Sequence, residues 1–122
     1  MPEKRNILLA DDEEMVRSVA KAMLNHLDFD VILATDGQEA LDIFLSRQNE
    51  ISLVILDISM PGLDGFECLK HIRRNSDVPA LIASGYGMAI SEEVMLETNA
   101  QGILPKPFTL EILAETIRNI LP

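Results

Sequence analysis

The sequence Leu53-Val54-Ile55-Leu56-Asp57 places one carboxylate directly after four apolar residues. The segment that follows, residues 58–65, contains one proline and two glycines, which favour turns. A short, continuous apolar run that ends in this way is typical of a strand buried on both faces, and therefore of a central strand in a parallel sheet. Ligands of open α/β sheets bind at the C-terminal ends of the strands. We therefore expect Asp57 to mark the functional site.

Four further apolar segments predict strands, and stretches with apolar residues at helical spacing predict a helix after each strand. The other strands are expected at Asn6–Ala10, Asp30–Ala34, 79–83 and 102–104. The helices are expected at 15–27, 40–47, 66–75, 90–98 and 110–121. In the first helix the apolar residues at helical spacing are Met15, Val16, Val19, Ala20, Met23, Leu24 and Leu27.

The alternation of strands and helices predicts an α/β fold. Helical crossovers of this length are right-handed and join parallel strands. The predicted architecture is one domain over residues 1–122, with a five-stranded parallel sheet and helices on both faces.

The composition is that of a globular chain and argues against several kinds of partner. Of 122 residues, 48% are hydrophobic and 25% are charged, which suits a single core. The formal net charge of −10 disfavours nucleic acid and anionic membranes, because both are bound through basic patches. The first apolar run, residues 7–10, is too short for a signal peptide or membrane span, and the single Cys68 cannot form an internal disulfide. We therefore expect a cytoplasmic protein without nucleic acid or membrane contacts.

Two acids, Asp11 and Asp12, follow the first predicted strand and would lie beside Asp57 if the sheet order is 2-1-3-4-5. Three neighbouring carboxylates repel one another, and burial adds to the cost of keeping them charged. A divalent cation relieves both costs, and ligands that are all oxygen favour Mg²⁺ or Mn²⁺. The alternative interpretation is that these acids cap the following helix and interact with its dipole, which would account for one of the pair.

Two polar residues follow the fourth and fifth predicted strands, at the same edge of the sheet: Ser84 and Lys106. A phosphoryl group spreads its charge over several oxygens, which are stabilised by a metal cation, a lysine and hydrogen-bond donors. The arrangement predicts that Asp57 is a nucleophile that forms an acyl phosphate. Considered singly, Ser84 is typical of a turn and Lys106 of a solvated surface, so the prediction depends on the strand ends together.

These motifs, in this order and spacing, resemble the receiver domain of a two-component response regulator over essentially the whole chain. The matching residues are Asp11-Asp12, Asp57, Met60-Pro61-Gly62, Asp64-Gly65, Ser84-Gly85 and Lys106-Pro107-Phe108. Segments 84–86 and 104–108 further resemble receivers joined to hybrid histidine kinases. The resemblance implies a flavodoxin-like fold of five βα units, with a parallel sheet of order 2-1-3-4-5 and helices on both faces. It also implies phosphoryl transfer from a histidine kinase or a histidine phosphotransfer protein.

The resemblance implies a ligand set for the metal. Mg²⁺ would be held by Asp12 and Asp57, by Asp11 partly through water, and by the backbone carbonyl of Ser59.

The resemblance also implies roles for the remaining site residues. Lys106 would contact the acyl phosphate, Ser84 would move toward it, and the peptide bond before Pro107 would be cis. The domain would promote its own phosphorylation and slow dephosphorylation without turning over an external metabolite. A downstream effector would be reached through the fourth helix, fifth strand and fifth helix.

One position departs from the family pattern. Receivers often carry Tyr or Phe three residues before the lysine that matches Lys106, and this chain has Ile103 there. Because an aliphatic residue has no ring to bury, signalling would rely on packing shifts after Ser84, or the domain would mainly relay phosphoryl groups. Tyr86 would lean over the phosphoryl group and slow its hydrolysis; the alternative is an exposed loop aromatic.

Three other functions fit parts of the pattern. A haloacid-dehalogenase-like Mg²⁺ phosphatase would use Asp57 as nucleophile but needs a second Asp two residues later, where this chain has Ser59. A flavodoxin-type electron carrier needs a phosphate loop after the first strand, where the acidic segment 11–14 would repel the phosphate of FMN. A degenerate receiver that acts only as a binding module would have no need to keep all five site positions.

Overall fold

A computed structural model describes residues 5–85 and 90–121. Within them, five strands alternate with five helices, and a 3₁₀ turn at Gln48–Glu50 precedes the third strand. The strands are β1 (Asn6–Ala10), β2 (Asp30–Ala34), β3 (Ile51–Asp57), β4 (Ala80–Ser84) and β5 (Gly102–Pro105). The helices are α1 (Glu14–His26), α2 (Gly37–Arg47), α3 (Gly65–Ile72), α4 (Glu92–Thr98) and α5 (Leu110–Arg118). None of these helices has both the length and the apolar character needed to cross a membrane.

The strands form one parallel sheet in the order β2-β1-β3-β4-β5, which confirms the predicted α/β fold and strand order. Because β1 lies between β2 and β3, the residues that follow β1 are next to the end of β3. In the register of the sheet, Ala10 is the partner of Leu56, and Asp57 is the partner of Ala83. The C-terminal ends of β1, β3 and β4 therefore meet at one edge.

Two apolar clusters, one on each face of the sheet, form the core of the described residues. Successive strand residues point to opposite faces, so Val54 and Leu56 join the first cluster while Leu53 and Ile55 join the second. The first cluster also contains residues of α2 and α3, and the second contains residues of α1 and α5. This cover on both faces explains why β3 is apolar along most of its length.

One side of α1 departs from the sequence prediction. Met15 and Val19 are 78% and 49% exposed, although their spacing groups them with the apolar face of the helix. Ala20 and Leu24 are the residues of α1 that are buried in the second cluster. The sheet and α5 cover only one side of the helix, and the seven apolar residues span a wider arc than that side. Those at its margin therefore lie on the surface.

The fourth helix is shorter than the sequence pattern predicts. It begins at Glu92 because the Ser91 side chain accepts a hydrogen bond from the Val94 amide and caps the helix there. Ile90, predicted as the first helical residue, packs against the first cluster. The prediction for Tyr86 concerns a residue that lies outside the described ranges.

Candidate functional site

Three carboxylates lie together at the C-terminal edge of the sheet. Asp11 and Asp12 follow β1, and Asp57 is the last residue of β3. Each offers an oxygen such that the three oxygens lie within 4.8 Å of one another. Asp11 and Asp57 are each 2% exposed, whereas Asp12 faces solvent. The structure therefore brings together the acids that the sequence places at separate strand ends, and it buries two of them.

Asp11 is fixed by partners on both sides of its strand end. Its backbone amide donates to the carbonyl of Ala34, the last residue of β2, at 3.1 Å. Its Oδ1 accepts a hydrogen bond from the Glu13 amide at 2.9 Å, and its backbone carbonyl accepts one from Nη1 of Arg17 at 2.9 Å. The turn from β1 into α1 is thus held in place around this carboxylate.

Lys106 reaches the carboxylates from the loop after β5. Its Nζ lies 3.0 Å from Oδ2 of Asp11 and 3.2 Å from Oδ2 of Asp57, and Oε1 of Glu13 is 3.9 Å away. Its backbone amide donates to the carbonyl of Ser84 at 2.7 Å, which ties the loop to the end of β4. The peptide bond between Lys106 and Pro107 is cis, as the family resemblance implied. Lys106 is therefore an inward-facing residue of the site and not a solvated surface lysine.

The charges of the site depend on burial and on one another. Burial raises the pKa of Asp57 above its ordinary value, and the charge of Asp11 adds to this effect, while Lys106 and the Ser59 amide oppose it. Burial acts to lower the pKa of Lys106, but the hydrogen bond that Lys106 donates to Asp11 and the charge of Asp57 outweigh it, so that pKa is raised. The ammonium group is consequently held in its charged form between two carboxylates.

The loop after β3 returns close to the backbone of Asp57. A Cβ atom at Gly65 would lie 2.4 Å from the backbone oxygen of Asp57, so no side chain fits there. Helix α3 begins at Gly65, and Asp64 and Glu67 close its first turn as a capping box. The Ser59 amide donates to Oδ1 of Asp57 at 3.4 Å. The glycine thus lets a helix begin directly against the strand that carries Asp57, and the metal role of the Ser59 carbonyl stays a prediction.

Ser84, which supplies the predicted hydroxyl, lies on β4. Ile103, the position that departs from the family pattern, lies on β5. Ser84 is buried at the end of β4, one residue beyond Ala83, which is the register partner of Asp57. Ile103 is 40% exposed on β5, the edge strand of the sheet. The structure therefore puts Ser84 at the same edge as the carboxylates and leaves Ile103 partly in solvent.

The structure adds two features that the sequence interpretation missed. Arg17 contacts the backbone of Asp11 from one turn inside α1. The exposed side of α1, with Met15 and Val19, forms one wall of a groove of about 460 Å³, and Lys106, Pro107 and Phe108 line it as well. Helical spacing does not indicate the Arg17 contact, because its acceptor, the Asp11 carbonyl, lies six positions earlier and outside the helix.

Comparison with known sequences agrees with this fold. The chain matches the response regulator receiver domain family over residues 7–118. Response regulator RR06 from Streptococcus pneumoniae serotype 2 is 38% identical over 116 residues, which cover 95% of this chain and 52% of that protein. The chain spans about half the length of the curated relatives it matches.

Solved structures with the same fold include the chemotaxis protein CheY4 from Vibrio cholerae. It is 28% identical with a TM-score of 0.89, and the match covers 98% of this chain and 100% of that one. The CheX-CheY-BeF3-Mg²⁺ complex from Borrelia burgdorferi matches with 25% identity and a TM-score of 0.87, over 94% of this chain and 87% of that one. The family match and the strand order indicate the same fold. This chain belongs to the response regulator receiver domains of two-component signalling.

Proposed function

We propose that this receiver domain is the phosphoacceptor of a phosphorelay, in which Asp57 takes a phosphoryl group from a histidine of a partner kinase or histidine phosphotransfer protein. The observation that carries the proposal is the position of Lys106. Its ammonium lies 3.2 Å from the buried Asp57 carboxylate and 3.0 Å from that of Asp11. A cation held beside a nucleophilic carboxylate is suited to stabilise the charge on a transferring phosphoryl group.

The acidic cluster fits a hard divalent cation. Its donors are carboxylate oxygens from Asp11, Asp12 and Asp57, the ligand type that Mg²⁺ and Mn²⁺ prefer. We assign these three residues as ligands, together with the backbone carbonyl of Ser59 that the resemblance implies. When bound, the cation would neutralise charge on the carboxylates and on the phosphoryl oxygens. The presence of Mg²⁺ and BeF3 in the related complex from Borrelia burgdorferi supports this assignment.

In the proposed reaction, a carboxylate oxygen of Asp57 bonds to phosphorus as the bond from phosphorus to the donor histidine nitrogen breaks. The donor imidazole, protonated on its second nitrogen, keeps the electron pair of the broken bond and leaves as the neutral ring. The Lys106 ammonium pairs with the phosphoryl oxygens, and the Ser84 hydroxyl donates a hydrogen bond to them. Hydrolysis later breaks the bond between the Asp57 oxygen and phosphorus, restores the carboxylate and releases inorganic phosphate.

The groove beside Lys106 is the surface that we assign to the phosphodonor protein. Any protein that brings a histidine to Asp57 must cover the neighbouring surface, and the groove is continuous with the site because Lys106 lines both. Its walls are apolar at Met15, Val19 and Phe108. Met15→Asp is expected to slow transfer from a phosphorylated kinase and to leave phosphorylation by acetyl phosphate unchanged, because the small donor needs no groove.

The output of the domain follows from the family and from Ile103. Relatives about twice as long as this chain are named a response regulator and probable transcriptional regulators, so the receiver would act on a further output domain or protein. The fourth helix, fifth strand and fifth helix are the surface that the resemblance implies for this contact. With Ile103 in place of an aromatic residue, the signal would travel by packing shifts after Ser84, or the domain would mainly relay phosphoryl groups. Amide shifts with and without a phosphate mimic distinguish the two, since a relay confines the changes to the site.

The test is the intact mass of the protein after incubation with acetyl phosphate and Mg²⁺. The wild type should gain the mass of one phosphoryl group, and Asp57→Asn should gain none. Asp64→Asn is the matched control, because it removes a nearby carboxylate yet keeps an efficient helix cap. Omission of Mg²⁺ should abolish the gain in the wild type.

Two outcomes would contradict the proposal. An unchanged wild-type mass, with the protein folded, would favour a degenerate receiver that acts only through binding. A gain that persists in Asp57→Asn would place the phosphoryl group on another residue. The mass measurement does not test for binding to nucleic acid. The net charge of −10 argues against such binding by this domain.

A further inference from the structure

The Arg17 side chain reaches the carboxylate site from within α1. Its Nη1 donates to the backbone carbonyl of Asp11 at 2.9 Å, and its own amide donates to the carbonyl of Glu13 at 3.0 Å. Arg17 is half-buried, as the fourth residue of α1. The guanidinium therefore folds back from the helix onto the strand end that precedes it.

The bond to the Asp11 carbonyl fixes the peptide that joins Asp11 to Asp12. The other groups of Asp11 already have partners: its amide, Oδ1 and Oδ2 contact Ala34, Glu13 and Lys106. The carbonyl belongs to the same rigid plane as the amide of Asp12, so its direction sets where the Asp12 side chain begins. Because Asp12 is exposed, packing does little to hold that side chain, and its place in the cluster depends on the backbone.

We propose that Arg17 is a positioning residue that holds Asp12 within the metal-binding cluster by anchoring the Asp11–Asp12 peptide. The inference rests on the proposed function, because it assumes that the cluster binds Mg²⁺. Outer partners of metal ligands commonly contribute in this way, and their loss reduces metal affinity by about tenfold or more.

The positive charge of Arg17 predicts the opposite effect on Mg²⁺ affinity. The direction of the change in Kd on substitution therefore tests the proposal. A cationic side chain near a cation site repels the metal, so removal of its charge alone should tighten Mg²⁺ binding by a factor on the order of two, less in salt. Loss of a positioning bond should instead weaken binding. Lys21 is the matched control, because it is an exposed cation one turn further along α1.

The experiment is calorimetric titration of the purified chain with MgCl₂, for the wild type, Arg17→Met, Arg17→Lys and Lys21→Met. We expect the Kd for Mg²⁺ to rise about tenfold in Arg17→Met and to stay level or fall in Lys21→Met. Arg17→Lys, which keeps the charge and one donor, should recover part of the affinity. Urea unfolding of each variant without metal shows whether it is folded under the titration conditions.

The outcomes separate the inference from the proposed function. Absence of Mg²⁺ binding by the folded wild type would overturn both proposals at the first step. Binding by the wild type with equal or tighter binding by Arg17→Met would overturn the role of Arg17 and leave the metal site standing. If Arg17→Met proved unfolded, the titration of Arg17→Lys would decide the matter. The shorter lysine side chain makes a weaker contact in place of the 2.9 Å bond, so a Kd above the wild-type value supports the proposal and a Kd equal to it contradicts the proposal.

Discussion

Arg73 provides a quantitative test of how the fold is held around the fourth helix. Its guanidinium donates four hydrogen bonds to backbone carbonyls of two separate segments. The acceptors and distances are Ser76 at 3.2 Å, Val78 at 2.7 Å, Thr98 at 2.7 Å and Asn99 at 3.0 Å. One side chain thereby joins the end of α3, the approach to β4 and the last turn of α4.

The expected cost of Arg73→Met follows from the burial of those acceptors. Val78 and Thr98 are buried, so their carbonyls lose a partner that water replaces poorly, whereas Asn99 is exposed and its carbonyl can bond to water. A buried group left without a partner costs about 1–3 kcal/mol, and two such groups give a loss of about 2–4 kcal/mol once some relaxation is allowed. The methionine keeps most of the aliphatic packing, so the loss reports the hydrogen bonds.

The assay is urea unfolding followed by circular dichroism, with the free energy of unfolding compared among variants. Arg74→Met is the matched control, because it removes the same charge from the exposed neighbouring residue and should change stability by less than about 0.5 kcal/mol. Arg73→Lys should lie between Arg73→Met and the wild type, because an ammonium cannot reach all four carbonyls. A loss in Arg73→Met no larger than in Arg74→Met would refute the reasoning.

Three further predictions concern the site and the core. Burial and the charge of Asp11 raise the pKa of folded Asp57, so this carboxylate destabilises the fold increasingly as pH rises from its unfolded pKa through its folded one. Asp57→Asn should therefore increase the free energy of unfolding at pH 7 in metal-free buffer, and equal stability of the two proteins at pH 7 would contradict this. Gly65→Ala should reduce the melting temperature far more than Gly102→Ala, because the added Cβ would lie 2.4 Å from a backbone oxygen in the first case and 3.4 Å from a leucine methyl in the second. Burial raises the pKa of Cys68 to about 12, so an alkylating reagent at pH 8 should modify the thiol only after unfolding, and rapid labelling of the native protein would oppose this.

The strands and the polar residues at their ends were predictable because the information is local. Each predicted strand is a short apolar run, and residues such as Asp11 and Asp57 follow at its end. Parallel pairing then carries these side chains to one edge, whatever the details of packing. The position after the fifth strand placed Lys106 at the same edge, and the family pattern added the strand order 2-1-3-4-5 and the contact of Lys106 with the acyl phosphate.

The features that the sequence did not predict depend on packing between distant segments. Arg73 finds two of its four acceptors 25 and 26 positions away, at the C-terminal end of α4. The exposure of Met15 and Val19 reflects how much of α1 the sheet and α5 can cover, which periodicity does not measure. The bond from Arg17 to Asp11 requires the helix to start at a particular angle to β1.

The anchoring of α4 bears on how a change at the site would spread through this domain. Its C-terminal end is bound to α3 through Arg73. Gln101, three residues after the last residue of α4, is bound to β4 by two hydrogen bonds with Ala80, at 2.8 and 2.6 Å. Displacement of that end would break several bonds at once. The N-terminal end starts at the cap of Ser91, which contacts its own helix. In the described part of the chain, the hydrogen bonds and the ion pair that join α4 to other elements lie toward its C-terminal end, so a shift that begins at Ser84 would have to displace them to move the whole helix. Ile103 on β5 is partly exposed and has no aromatic ring that could couple a change at Ser84 to a movement of α4.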